Sequence, residues 1–220
     1  MKNIVLIGSS GHAKVIIDIV EKQGCFHICG LLDRFRNVGE STLGYSVLGS
    51  EIDLPQLVTK LNLEGVIIAI GDNNVRARVA SDVSKTCPEL PFVSAVHPNA
   101  VIGKGTVIDM GSVVMAGAVV SPCCRIGQFC IVNTRSSLDH DSVMENFSSL
   151  GPGATTGGNC HIGAHSAVGI GAVLRHGVDV GAHSVVGGGA VVVSPVPSFS
   201  VTYGVPAKKI RSREADDKYL

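Results

Sequence analysis

Eight histidines, at 12, 27, 97, 140, 161, 165, 176 and 183, carry the side chains able to take up or release a proton near neutral pH. One of them, His140, stands between Asp139 and Asp141. An imidazole beside a carboxylate can accept the proton that a nucleophile sheds as it attacks. The carboxylate fixes the ring tautomer and favours the imidazolium that forms. The bland alternative is an exposed polar corner. His165 and His183 lie 18 residues apart, and His140 and His176 lie 36 apart, spacings that place each pair in one column of a coiled structure. Zinc needs three protein ligands around an open fourth position, and such ladders do not supply them within one chain. No metal is expected. A second candidate is Gly8-Ser-Ser-Gly11, which follows an apolar run and opens a helical pattern, a setting suited to a phosphate on helix amides. The place of a third glycine is filled by Ala13 or Lys14, so the dinucleotide fingerprint is not met.

These residues need elements to hold them. Residues 3–95 alternate strand and helix: strands at 3–7, 27–33, 65–70 and 91–96, helices at 13–23, 54–61 and 73–85. That order implies a parallel sheet flanked by helices, a Rossmann-like α/β domain. Asp33 and Arg34 end its second strand and Gly71 its third. All three fall at carboxyl ends of parallel strands, where open α/β sheets bind ligands. Gly71 could equally turn the chain and Asp33 cap a turn.

From Ile102 the chain keeps a strict period of six. The positions 102, 108, 114 and onwards to 186 hold an aliphatic residue or Met in fourteen of fifteen cases, Thr156 being the exception. Four residues after each comes a very small residue, Val178 alone excepted. The residue following the aliphatic one is Gly in eight of the fifteen hexads. The pattern reads as a hexapeptide-repeat parallel β-helix, each hexad supplying one short strand and one corner. Aliphatic and small residues point inward, so Cys124, Cys130 and Cys160 read as small core residues. Seven cysteines with no CxxC pair do not suggest a disulfide framework. The domains expected are 1–97 and 98–220.

Of 220 residues, 18 are Lys or Arg and 18 are Asp or Glu, a balance that argues against nucleic-acid binding. Aromatics make 4% and Trp is absent, so the apolar mass is aliphatic, as many short strands would need. No apolar run is long enough to span a bilayer, so neither membrane insertion nor secretion is expected and a cytoplasmic location is.

Several segments in order carry a resemblance. Gly8-Ser-Ser-Gly-His-Ala-Lys14, Ile68-Ala-Ile-Gly-Asp72, Asn133-Thr134, Asp139-His-Asp141 and Gly204-Val-Pro-Ala-Lys208 resemble the bacterial nucleotide-sugar N-acetyltransferases of the hexapeptide-repeat superfamily, in the branch near the sialic acid O-acetyltransferases. The resemblance implies a left-handed β-helix after the α/β domain, with fifteen hexads forming five coils. It implies an acetyl-CoA-dependent N-acetyltransferase acting on the 4-amino group of a UDP- or GDP-linked 4-amino-4,6-dideoxy sugar, for surface glycan or glycoprotein synthesis. His140 would be the base and Asp141 its support, where some relatives carry Glu. Ser10, Gly11 and His12 would line the nucleotide-sugar loop, with Asn133 orienting the sugar or the acid. Ile170 and Gly188 would contact the coenzyme, and Ser149 stands where some relatives have a contacting histidine. A homotrimer with active sites at subunit interfaces is implied. The readings weighed against this are a sugar O-acetyltransferase and a non-catalytic nucleotide-sugar-binding trimer.

Overall fold

The computed structural model describes residues 1–217. The chain divides into two compact units, Met1–Pro98 and Asn99–Leu220, and residues 218–220 of the expected second domain lie outside the described residues. The first unit contains strand β1 (Lys2–Ile7), helix α1 (Gly11–Gln23), β2 (Phe26–Leu32), β3 (Ser41–Thr42), β4 (Tyr45–Gly49), α2 (Leu54–Lys60), β5 (Gly65–Ile68) and α3 (Asn73–Thr86). The sheet order is β3-β4-β2-β1-β5, parallel except for the β3–β4 hairpin. Central β1 is buried on both faces, which explains its unbroken run Ile4-Val5-Leu6-Ile7. Helix α1 packs Ala13, Ile16, Ile17, Ile19 and Val20 inward and stops at Gly24, in the left-handed region at φ 64°.

Two differences from the sequence reading stand out. The β3–β4 hairpin was not anticipated, because its strands of two and five residues sit among Gly39, Gly44 and Gly49 and carry little alternation. Val47 nevertheless pairs with Leu31 and is fully buried. The expected strand at 91–96 reduces to a single bridge from Phe92 to Val66 and the two-residue strand Ala95–Val96.

In the second unit, sixteen two-residue strands run at six-residue intervals from Val101–Ile102 to Val191–Val192, counted among the described residues. The first thirteen each pair in parallel with the strand 18 residues on, as in Val101↔Val119↔Ser137, so three hexads make one coil of a three-sided β-helix. One strand, at Val191–Val192, extends beyond the fifteen anticipated, and Val192 is buried like its predecessors. Ile126, Leu138, Leu150 and Ile162 fill the centre, fully buried. Cys124, Cys130 and Cys160 are core residues; Cys130 Sγ lies 3.1 Å from the Glu145 carbonyl oxygen. Ser112 shows why the corner position is small and polar: its hydroxyl donates to the Gly127 carbonyl at 2.7 Å and accepts from the Cys130 N–H at 2.9 Å, tying two coils together. The third residue after each inward one from Ile102 to Val186 lies in the left-handed region: Gly105, Gly111 and Gly117 begin the series, and Cys123, Phe129, Arg135 and Asp141 follow. One corner thereby stacks Phe129, Phe147, His165, His183 and Phe199 with ring centroids 4.6 to 5.2 Å apart. The His165–His183 column is thus part of an aromatic ladder. Among the described residues no helix is long and apolar enough to cross a membrane.

Candidate active site

His140 is the second residue after inward Leu138 and stands half-exposed on a corner between two strands. Its Nδ1 lies 2.7 Å from Asp141 Oδ2. Asp141 occupies the left-handed corner position at φ 58°, a conformation that Asp accepts more readily than most residues. The His140 N–H donates to Asp139 Oδ1 at 2.9 Å, and that bond, with one from Ser121, holds the Asp139 carboxyl below its ordinary range. The bond to Asp141 raises the His140 pKa above the ordinary imidazole value, desolvation opposing and the charges of Asp139 and Asp141 adding smaller contributions to the rise. With Nδ1 committed to Asp141, Nε2 is the nitrogen left to take a proton. His161 is differently engaged, its two ring nitrogens lying 2.9 Å from Asp179 and 3.0 Å from Glu145.

Asn133, Ile170 and Gly188 belong to a different corner. Thr134, Pro152, Ile170 and Gly188 form one column at 18-residue spacing, and Asn133 precedes it. Ile170 is 64% exposed, and its Cγ2 lies 3.0 Å from where a Cβ on Gly188 would stand. Asn133 Oδ1 accepts from the Thr134 N–H at 2.8 Å, so that side chain braces its own turn. Ser149 is buried on the strand Ser149–Leu150, between Ile131 and Ala167. Within this unit the structure therefore keeps His140–Asp141 and Asn133–Ile170–Gly188 apart, on successive corners of the prism.

In the first unit the loops after β1, β2 and β5 enclose a cavity of about 880 Å³. Ser10, Gly11, Asp33, Arg34 and Gly71 all line it. Gly8 brings the first loop against β5: at φ 111°, a Cβ there would meet the Ala69 carbonyl oxygen at 2.6 Å. Asp33 fastens this loop, its Oδ2 accepting from the Ser9 N–H at 3.0 Å and the Ser9 hydroxyl at 2.6 Å. Arg34 pairs with Glu51, and Arg76 donates to the Gly71 carbonyl at 2.9 Å. Helix α1 has no side-chain cap and no acidic residue in its first turn, and Ser10, Gly11 and Lys14 at its positive end line the cavity.

Residues 3–83 match the family described as the PglD N-terminal domain. UDP-N-acetylbacillosamine N-acetyltransferase from Bacillus subtilis is 31% identical over 113 residues, 49% of each chain, so the match spans about half the length of that curated relative. A histidine-to-alanine mutant of the GDP-perosamine N-acetyltransferase of Caulobacter crescentus, solved in complex with CoA and GDP-perosamine, superposes with a TM-score of 0.91 at 32% identity, covering 96% of this chain and 98% of that one. The chain belongs to the hexapeptide-repeat sugar N-acetyltransferases. The acetyltransferase domain of PglB from Neisseria gonorrhoeae, solved with acetyl coenzyme A, gives a TM-score of 0.88 at 32% identity over 95% of this chain and 99% of its own. These matches identify the β-helix as the left-handed kind.

This member of the sugar N-acetyltransferases also lines its cavity with Lys14, Phe35 and Arg78, which sequence reasoning did not single out. Lys14 was legible, since it falls one helical turn after Ser10; Phe35 and Arg78 had no motif to mark them. His12 is the residue that departs from expectation, for it does not line the cavity. It lies against Gly71, its Cγ 4.0 Å from where a Cβ there would stand. Its Nε2 is buried without a partner, and burial, with the Arg76 charge second, lowers its pKa to about 4. The unfolded chain binds a proton there near pH 6.5 and the native chain does not. Stability should therefore fall as pH drops from about 6.5 to about 4, by roughly 3 kcal/mol in all, and stay level above that window. Urea titrations of the protein and of His12→Gln between pH 4 and 8 should show the variant losing this slope. An unchanged slope would acquit His12. Among the described residues no group of three His, Cys, Asp or Glu side chains is arranged to hold a metal ion.

Proposed function

We propose that the protein moves the acetyl group of acetyl-CoA to the amino group of a nucleotide-linked 4-amino-4,6-dideoxy sugar, with His140 as general base. One observation carries the reading. The half-exposed His140–Asp141 pair, 2.7 Å apart, occurs in a chain that superposes nearly end to end on an enzyme solved with CoA and GDP-perosamine. The amine nitrogen attacks the thioester carbonyl carbon, and Nε2 of His140 takes the proton it loses. A backbone N–H stabilises the oxyanion. Collapse breaks the carbon–sulfur bond, and the imidazolium returns its proton to the departing thiolate, leaving an N-acetyl sugar and CoA. The product would enter surface glycan or glycoprotein synthesis.

The cavity of the first unit suits the nucleotide. Its loop amides, the positive end of α1, Lys14 and Arg78 offer a diphosphate several donors and charges. Ser10, Gly11, Asp33, Arg34 and Gly71 are its proposed contacts, with His12 acting from behind the loop. Exposed Ile170, the flat Gly188 and neighbouring Ser149 are the proposed coenzyme side of the site. Val101, Val119 and Val173 are exposed on one face of the prism, in a column that Ser137 and Thr155 complete. Packing three prisms side by side would cover such faces and bring the two separated corners together from adjacent chains. A homotrimer with shared clefts follows.

An acetyl-transfer assay over UDP- and GDP-linked amino sugars and free sialic acid tests the reading. N-acetylation of one nucleotide sugar supports it. O-acetylation of sialic acid, or nucleotide-sugar binding without turnover, would overturn it in favour of the two readings set against it. The pH profile offers a further check. Asp141 raises the His140 pKa, and the base must be unprotonated to work, so Asp141→Asn should move the acidic limb of the rate profile to lower pH. It should also lower turnover, by less than removal of the ring itself. An acidic limb that stays put would remove Asp141 from the mechanism.

A further inference from the structure

One rung of the β-helix departs from the rule that all its equivalents follow, and it lies directly beside His140. In each hexad the N–H following the inward residue donates to a carbonyl of the next coil, as from Gly103 to Val120, Ser121 to Leu138, Gly127 to Met144 and Gly157 to Leu174. Among the described residues this bond forms in fourteen of the fifteen hexads that start from Ile102 to Val186. The exception is Asp139. Its N–H goes to the hydroxyl of Thr156 at 3.0 Å. Strand pairing changes at the same place: Ser137 pairs with Thr155, whereas the Leu138–Thr156 pair found at equivalent positions is missing. Thr156 is also the single polar residue in the inward column, buried at 4% exposure.

A second anomaly lies two residues on. The second position after the inward residue, the one His140 itself occupies, is glycine in two of fifteen hexads, Gly158 and Gly188. Neither has a positive φ, so the backbone does not call for glycine at either. A Cβ on Gly158 would stand 2.5 Å from both Cε1 and Nε2 of His140. The imidazole therefore lies over the bare backbone of Gly158, in space that any side chain would fill. The Asn159 N–H, next along, donates to the His140 carbonyl at 2.8 Å.

We infer that Thr156 and Gly158 are positioning residues: together they form a seat, one coil on, that sets the backbone and ring of the Asp139–Asp141 turn. Thr156 draws the Asp139 N–H out of the regular ladder, and Gly158 gives the ring room to lie with Nδ1 towards Asp141. The inference rests on the proposed role of His140 for its catalytic consequence, though not for its geometry. It carries an unusual sign. Restoring the repeat with an aliphatic side chain at 156 should leave the fold intact and spoil the site.

The test is Thr156→Val and Thr156→Ser in the full chain, with Gly158→Ala beside them. Thermal melts and NMR titration of the His140 Hε1 signal are recorded along with acetyl transfer. Thr156→Val should melt at or above the wild-type temperature, lower kcat about tenfold or more with little change in KM for acetyl-CoA, and move the His140 pKa down towards the ordinary imidazole value. Thr156→Ser, which keeps the hydroxyl, should retain wild-type kcat and titration. Gly158→Ala should shift the His140 signal and its pKa and cost more in kcat. A Thr156→Val protein with wild-type kcat and titration, or one whose losses track a lowered melting temperature, overturns the inference. Should the wild type acetylate no sugar while the titrations shift as stated, the proposed function falls and the seat remains.

Discussion

Replacing His140 with alanine should lower turnover by about 10²–10⁴-fold, the range that positioned general bases contribute, while leaving acetyl-CoA affinity near its wild-type value. The two halves of that expectation come from different parts of the geometry. The amine must lose a proton as it bonds to the acyl carbon, and His140 Nε2 is the free nitrogen of a ring whose other nitrogen is held by Asp141 at 2.7 Å. Asp139 is next to the ring, but its carboxyl is held below its ordinary range and makes a poorer base. His176 shares the column, with its ring centroid 6.1 Å from that of His140, and is two coils distant in the ladder. Coenzyme affinity should be spared because Ile170 and Gly188 stand on another corner of the prism. Stopped-flow turnover with the true sugar substrate, together with calorimetric CoA binding, separates the two. Near wild-type turnover at neutral pH in His140→Ala would remove His140 as the base. Turnover lost together with CoA binding would mean that the ring serves the coenzyme and not the proton.

How much of this the sequence discloses depends on how local each feature is. The β-helix is legible because its rule repeats every six residues, and a single deviation barely dilutes the signal. The His140–Asp141 pair is legible for a related reason: its partners are adjacent in the chain, so no tertiary information is needed. The cavity loops around Ser10, Asp33 and Gly71 are legible as strand ends, since parallel sheets collect ligand loops at one edge. Orientation within a turn is not. His12 sits inside the motif that marks the cavity loop, yet it packs against Gly71 and is not among the residues that line the cavity. The β3–β4 hairpin is hidden by shortness and by its glycines. Thr156 and Gly158 show the opposite case, where the letters are conspicuous but their meaning is not. A threonine among fourteen aliphatic residues reads as noise until the Asp139 N–H is seen to bond to it. Contacts 17 or 18 residues apart become visible only when coils stack.

Mixing two crippled proteins should produce an active one. His140→Ala removes the proposed base, and Gly188→Trp fills the proposed coenzyme corner beside Ile170 with a bulky side chain. Each homotrimer should be nearly inactive. The prism keeps those two residues on different corners, so a cleft that needs both has to take them from neighbouring chains. If subunits exchange at random in an equal mixture, half the clefts draw a healthy His140, and half of those meet a healthy Gly188. About a quarter of wild-type activity should then return, the arithmetic of a closed ring of three equivalent heterologous interfaces. The Gly188→Trp backbone should tolerate its new side chain, since that position has no positive φ and the nearest atom belongs to the exposed Ile170 side chain. Native mass spectrometry must first show mixed trimers, and melting curves must show both variants folded. With exchange established, a return of activity well above the sum of the parents supports shared clefts. No return means that both residues serve one chain, and a fully active species sedimenting as a monomer would dispose of the trimer altogether.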